Sequence, residues 1–367
     1  MIQENALHDE YAISEGLKEK NEEYMKGAMK TMTGQFAGLH RFTVTDPEFH
    51  KRIENLHLAK KLWGFTSYEF LQDMTEALYG VTPDKDRVEK MKRLVLIEKG
   101  DQIVHLNSYA LTDYESCLMT LMWMENDAMD YGMLQCIWGV KDDKTLTDKI
   151  KVWSDIIGVA GEHLSILRID KPFLDKTLPS KYKWIGMIDT ACVVDGKDIK
   201  AESVRNDRLA SNTQRSNKVG WSAIRELTWS TPMGLIFEYT RGFLSRASEK
   251  AIMLSWGSNG RLKLPIGMVI LGDKGFECTT AAYPNYNVTH HPAFLTNDQF
   301  NITQMGLNTQ ISQVRYTSEV VYARVTNRKS LYGYLERHRF SYFDELNAWA
   351  HGRANLYQPL LPLDDDE

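Results

Sequence analysis

Residues 265–276, Pro265-Ile266-Gly267-Met268-Val269-Ile270-Leu271-Gly272-Asp273-Lys274-Gly275-Phe276, run from an apolar stretch straight into a carboxylate between two glycines. From Ile266 to Leu271 there is no polar alternation. That is the pattern of a strand covered on both faces in an α/β sheet, not of one half in water. Loops at strand ends are where such sheets place their chemistry. Gly272 and Gly275 allow a sharp turn, so a ligand or a second segment can approach Asp273 closely. An aspartate in this setting can also do no more than cap the element that follows.

Upstream, Tyr182-Lys183-Trp184-Ile185-Gly186-Met187-Ile188-Asp189-Thr190-Ala191-Cys192-Val193-Val194 reads as another β-rich apolar run with a carboxylate in its middle. Burying an unpaired aspartate costs on the order of several kcal/mol, so Asp189 calls for a cation, a donor network or a metal. If the two strand-borne aspartates converge, a metal site is the simplest answer. Mg²⁺ and Mn²⁺ prefer hard oxygen ligands from carboxylates, waters and phosphates. Two such ions about 4 Å apart can activate a water and steady the leaving oxygen of a phosphodiester.

The chain of 367 residues can hold a core domain and a smaller helical one, and its 43% hydrophobic content suits packed cores. A formal charge of -5 argues against binding nucleic acid over the whole surface and leaves room for a local basic patch. Such a patch is formed by Arg315, Arg324, Arg328, Lys329, Arg337, His338 and Arg339; a solvated helix face would read the same way. Cys117, Cys136, Cys192 and Cys278 lack the spacing of a zinc ribbon or a disulfide framework, which leaves reduced thiols. No apolar stretch approaches the ~20 residues of a membrane span.

Residues 1–110 are expected to form a helical, variable N-terminal region. Residues 111–170 read as a helix-turn-helix. Tyr114, Cys117, Leu118, Leu121, Met122 and Met124 make one apolar face, Met129 to Trp138 gives a short second helix ended by Gly139, and a third begins near Asp142. Lys144, Thr145, Thr147, Lys149 and Lys151 near the start of that helix are placed to meet phosphates or base edges, although a bundle that only buttresses the core fits the same pattern. Beyond residue 180, strands are expected within 218–228, which reads equally as helix, 233–240 and 265–271, and helices at 246–256, 317–336 and 341–357. Together these make a mixed sheet flanked by helices.

The order Ile188-Asp189, Pro232-Met233-Gly234, Gly242 to Lys250, Gly272-Asp273-Lys274-Gly275-Phe276, Tyr283-Pro284-Asn285, Pro292-Ala293-Phe294-Leu295 and Arg315 to Ala323 resembles the Harbinger-type DDE transposase family. The likeness covers roughly residues 105–362. It implies a ribonuclease-H-like nuclease core with a mixed five-stranded sheet over 180–362, preceded by an all-α helix-turn-helix region. By this resemblance Asp189, Asp273 and Glu319 are the catalytic acids and the ligands of a divalent cation, Mg²⁺ or Mn²⁺. Glu319 takes its place from the family's late-helix pattern Arg-x-x-x-Glu-x-x-Phe-Gly, filled here by Arg315, Glu319, Tyr322 and Ala323. Glu249 stands where relatives carry a further aspartate. The expected partners are DNA, through Lys144, Thr145, Lys149, Arg324, Arg328 and Lys329, and a separate Myb-like DNA-binding protein, in the nucleus.

Two departures are plain. Relatives follow the first aspartate with Gly-Thr-His, whereas Asp189 precedes Thr190-Ala191-Cys192, and Phe-Gly has become Tyr322-Ala323. The second reading is therefore a domesticated relative that binds DNA or protein without chemistry.

Overall fold

The computed structural model describes residues 113–126, 130–138, 143–165, 169–203, 208–258, 264–273, 287–290, 302–326 and 334–356, with single positions between and beside them and a few near residue 70. The chain divides into two compact units, Met1–Trp153 and Ser154–Glu367.

In the first unit, α1 (Asp113–Glu125) is buried all round and not on one face: Glu115 through Asn126 are all shielded from water. Its polar residues tolerate this because several turn back on the helix itself. Thr120 Oγ1 donates to the Ser116 carbonyl at 2.8 Å, and Asn126 Nδ2 to the Met122 carbonyl at 2.8 Å. Helix α2 (Tyr131–Trp138) is capped by Asp130, whose carboxylate accepts the Met133 amide at 2.7 Å. Helix α3 (Asp143–Ser165) starts in this unit and ends in the second.

The second unit continues with α4 (Lys171–Thr177), capped by Asp170, and α5 (Ser180–Trp184). Tyr182 to Trp184 are therefore helical, where the apolar run alone suggests strand. Pro179, ahead of the first turn, directs the chain into a helix, and Gly186 at φ 77° turns it away before β1 (Thr190–Lys200) begins. Then come α6 (Arg208–Gln214), β2 (Ala223–Ser230), β3 (Ile236–Tyr239), β4 (Phe243–Leu244) and α7 (Glu249–Ser258). After these follow β5 (Val269–Gly272), β6 (Asn287–His290), α8 (Ile302–Thr326), a 3-10 turn (Arg337–Tyr342) and α9 (Phe343–Ala354). Helix α8 starts well before Thr317, the expected point, and ends at Thr326, short of Glu336; the apolar residues of its first turn, Ile302 and Met305, are exposed and mark no buried face.

The strands form one mixed sheet in the order β3-β2-β1-β5-β6, with β4 beside β2. Strands β1 and β2 are antiparallel; β1–β5 and β5–β6 are parallel. Each face is covered. On one, Cys192, Val194 and Ile270 pack with Ile252, Met253 and Trp256 of α7. On the other, Val193 and Leu271 pack with Tyr182 of α5 and Val314 of α8. Burying each such side chain contributes about 1.5–3 kcal/mol, which is why β1 and β5 lack polar alternation here.

The last part of α3 crosses α9 at two glycines. A Cβ on Gly161 would lie 2.6 Å from the Trp349 Cα and closer still to the Ala348 carbonyl, and one on Gly352 would lie 2.6 Å from the Gly161 Cα. The neighbours are backbone, with no side chain to swing aside. Gly161→Ala is accordingly expected to destabilise this unit by about 3 kcal/mol or more, read as a lower midpoint in urea unfolding.

Candidate active site

Strand register decides which acids meet. Val193 of β1 lies opposite Leu271 of β5, and both side chains enter the same core beneath α8. Two residues further along each parallel strand come Asp195 and Asp273. Side chains alternate with period two, so both aspartates fall on that same face, at one level, on strands about 4.8 Å apart. Asp273 immediately follows β5, as the Gly-Asp turn predicts.

Asp189 is not part of this arrangement. It lies in the turn before β1, and its carbonyl accepts the Val269 amide at 2.8 Å, at the opposite end of β5 from Asp273. Four residues of strand, about 13 Å, separate the two levels. Its side chain is 60% exposed and stands 3.8 Å from Lys171 Nζ, so the burial that called for a metal is absent. The strand position expected for Asp189 is thus corrected. The missed residue, Asp195, did leave a signal: Val193-Val194-Asp195-Gly196 is an apolar strand entering an aspartate next to glycine, the same grammar as Ile270-Leu271-Gly272-Asp273.

Asp195 is held firmly. Its carboxylate accepts the Gly196 amide at 2.8 Å and the Ser318 hydroxyl at 3.1 Å, and Arg315 stands 3.6 Å away; its backbone carbonyl accepts the Tyr322 hydroxyl at 2.8 Å. Burial raises its pKa above the usual carboxylate range. Asp273 adds to the rise, while the Gly196 amide, Arg315 and Ser318 oppose it.

Glu249 joins from the other side of β1. Arg225 forms a two-point pair with Asp198 (2.7 and 2.8 Å) across β1 and β2, and its third arm donates to the Ala247 carbonyl at 3.0 Å. Ser248 then caps α7 by accepting the Ala251 amide, which puts Glu249 in the first turn, where the helix dipole favours a negative charge. Glu249 packs over Gly196: a Cβ there would meet Glu249 Oε1 at 2.7 Å. Burial raises the Glu249 pKa, Asp273 next and Asp195 further, against Lys218 and Arg225. Lys218 Nζ lies 3.7 Å from Glu249 Oε1.

Glu319 sits one turn beyond Arg315 on α8, 66% exposed. The Arg315 guanidinium is 3.4 Å from Glu319 Oε1 and 3.6 Å from Asp195 Oδ2, so a positive charge stands between the two acids. As the side chains stand, no three His, Cys, Asp or Glu among the described residues are arranged to hold an ion. The donor set nevertheless suits a hard divalent cation: carboxylates gathered from β1, the end of β5 and α7, two of them raised in pKa, with Arg315 and Lys218 now supplying the counter-charge.

The expected DNA contacts fare unevenly. Lys144 is exposed at the start of α3, but Thr145 and Lys149 are buried, and Lys149 Nζ donates to Ser116 Oγ at 2.9 Å. The period of the helix turns these two inward, so they are not phosphate contacts as arranged. Arg324 is half-buried in the last turn of α8, Arg339 is buried, and Arg328 and Lys329 lie outside the described residues. No helix among the described residues is long and apolar enough to cross a membrane.

A mixed sheet flanked by helices, with carboxylates from neighbouring strands meeting on one face, defines an α/β protein built around an acidic centre. Residues 194–355 match the family model described as DDE superfamily endonuclease, which supports placing this segment in that superfamily. The matched segment includes Asp195, Glu249, Asp273 and Glu319 and begins after Asp189. No curated protein matches the chain.

Proposed function

We propose that the protein is a transposase-derived, DDE-type nuclease whose working acids are Asp195, Asp273 and Glu319, with Glu249 beside them, on a ribonuclease-H-like sheet. One observation carries the reading: two residues beyond the paired Val193 and Leu271, Asp195 on β1 and Asp273 at the end of β5 fall at the same level on one face, and Asp273 adds to the rise in the Asp195 pKa. Carboxylates placed in this way call for a cation, and the family match names the chemistry. Asp195 and Asp273 would hold the divalent ions, and Glu319 would reach them once Arg315 releases it. When bound, such ions supply an activated water and a counter-charge for the leaving oxygen of a phosphodiester.

The chain's own residues do the positioning. Ser318 and the Gly196 amide orient the Asp195 carboxylate, the Asp198–Arg225 pair sets α7 and with it Glu249, and Lys218 and Arg315 are the cations nearest a phosphate that enters. DNA is the substrate of this reading. A Myb-like partner, a nuclear setting and DNA contact through the α1–α3 region belong to the Harbinger-type form of it.

The test is Mn²⁺ titration by calorimetry together with nicking of supercoiled plasmid in Mg²⁺ or Mn²⁺. Binding with metal-dependent nicking is the expected result. Binding of DNA without metal uptake or nicking would instead establish the domesticated, non-catalytic relative.

A further inference from the structure

Helix α8 meets Asp195 at three points with the spacing of one helix face. Arg315 and Ser318 reach the carboxylate; Tyr322, one turn on, reaches the backbone, its hydroxyl donating to the Asp195 carbonyl at 2.8 Å. The strand needs support there. The last registered pair between β1 and β5 is Val193–Leu271, so at Asp195 the strand has outrun that ladder and keeps β2 alone among its described strand partners.

Behind the Tyr322 hydroxyl the packing continues in polar groups. Thr228, the cross-strand partner of Asp195, stands beside that hydroxyl and gives its own proton elsewhere, which leaves the Tyr322 proton to Asp195 alone. The Thr228 hydroxyl is 2.8 Å from His351 Nε2, and His351 Nδ1 is 2.8 Å from the Asn347 carbonyl. A carbonyl can only accept, so Nδ1 carries the ring proton and Nε2 accepts from Thr228. Tyr322, Thr228 and His351 are each almost wholly buried, so each bond is made without competition from water.

We propose that Tyr322 is a positioning residue for Asp195: its hydroxyl clamps the backbone of β1 at the point where the ladder to β5 ends. The inference rests on the reading of Asp195 as a working acid. The late-helix pattern quoted above has phenylalanine at this position, which would fill the same space and donate nothing. In this chain the clamp comes from one oxygen atom.

Tyr322→Phe in the full chain removes that oxygen and keeps the ring. Hydrogen exchange of the metal-free protein, followed by mass spectrometry over residues 190–200, reads the clamp; Mn²⁺ calorimetry reads the placement of the acid; a thermal melt controls for folding. The expected result is exchange about five- to tenfold faster in the far half of β1 and Mn²⁺ binding weaker by a similar factor. Unchanged exchange in Tyr322→Phe overturns the clamp whatever the metal does. Faster exchange with unaltered Mn²⁺ affinity overturns the positioning role, leaving Tyr322 a packing residue. A wild type that takes up no Mn²⁺ overturns the metal reading instead, and the exchange comparison then decides the clamp by itself.

Discussion

Asp195→Asn is expected to abolish metal-dependent nicking, with a loss of about 10²–10³-fold, while Asp189→Asn leaves it within about twofold of wild type. The substitution replaces a charged ligand by a neutral one of the same shape. The several kcal/mol that ions contribute at a phosphodiester transition state convert to that range of rate. Folding should survive, because asparagine can keep its carbonyl oxygen at the Gly196 amide and turn its NH2 toward Ser318, whose hydroxyl oxygen then accepts while its proton stays on the Arg315 carbonyl. Asp189 is exposed, paired with a surface lysine and at the far end of β5, so its charge has no route to the reacting centre. Initial nicking rates for the two variants decide the matter. Equal losses in both, or a loss confined to Asp189→Asn, would return the role to the turn before β1.

Glu226→Gln is expected to make the protein more stable at alkaline pH and to change it little near pH 4.5. Glu226 is fully buried on β2, its carboxyl oxygens make no hydrogen bond of good geometry among the described residues, Asn347 is the nearest donor, and His351 Nε2 is 3.7 Å away, beyond bonding distance. Burial pushes its pKa up from 4.5 to about 8, against the opposing pull of Asn347 and Lys197. A carboxyl with a raised native pKa contributes fully below about pH 4.5, and its contribution fades as pH rises through 8.

His351 works in the other direction. Burial lowers its pKa from 6.5 to about 4, so its contribution is complete above 6.5 and fades as pH falls through 4. At neutral pH the pair is mostly an uncharged acid beside an uncharged imidazole. Between 4.5 and 6.5 the two slopes oppose each other; above 6.5 the Glu226 loss stands alone. Glutamine mimics the neutral acid and does not ionise. The gap between variant and wild type in urea unfolding should therefore widen from near zero at pH 4.5 to on the order of a few kcal/mol at pH 8.5. A gap that stays constant with pH would mean that Glu226 is ionised throughout.

Much of the site could be read along the chain, and the errors have a common cause. Asp273 was legible because its strand, its glycines and its turn are neighbours in sequence. Glu319 and Arg315 stand on one helix, four residues apart, and α7 and α9 declare themselves by local pattern. Asp189 stands inside the apolar run read as the upstream strand, while Asp195 lies just past its end next to a glycine; the choice between them needs the pairing of that strand with β5, which is not local. Thr145 and Lys149 near the start of α3 look like polar surface by type, yet both are buried.

By itself the sequence determined the class of the sheet, the carboxylate at the tip of β5 and the helix that covers it. Those features rest on hydrophobic period and turn chemistry, which act over a few residues. Only the tertiary structure decided which upstream aspartate stands beside Asp273, that Arg315 lies between Asp195 and Glu319, and that Tyr322 holds the strand beneath them. These depend on the register of two parallel strands joined by a long crossover and on how a distant helix lies across them. Because side chains in a strand alternate, Asp195 shares the face of Asp273 through its spacing from Val193, and that spacing acquires meaning once Val193 is paired with Leu271.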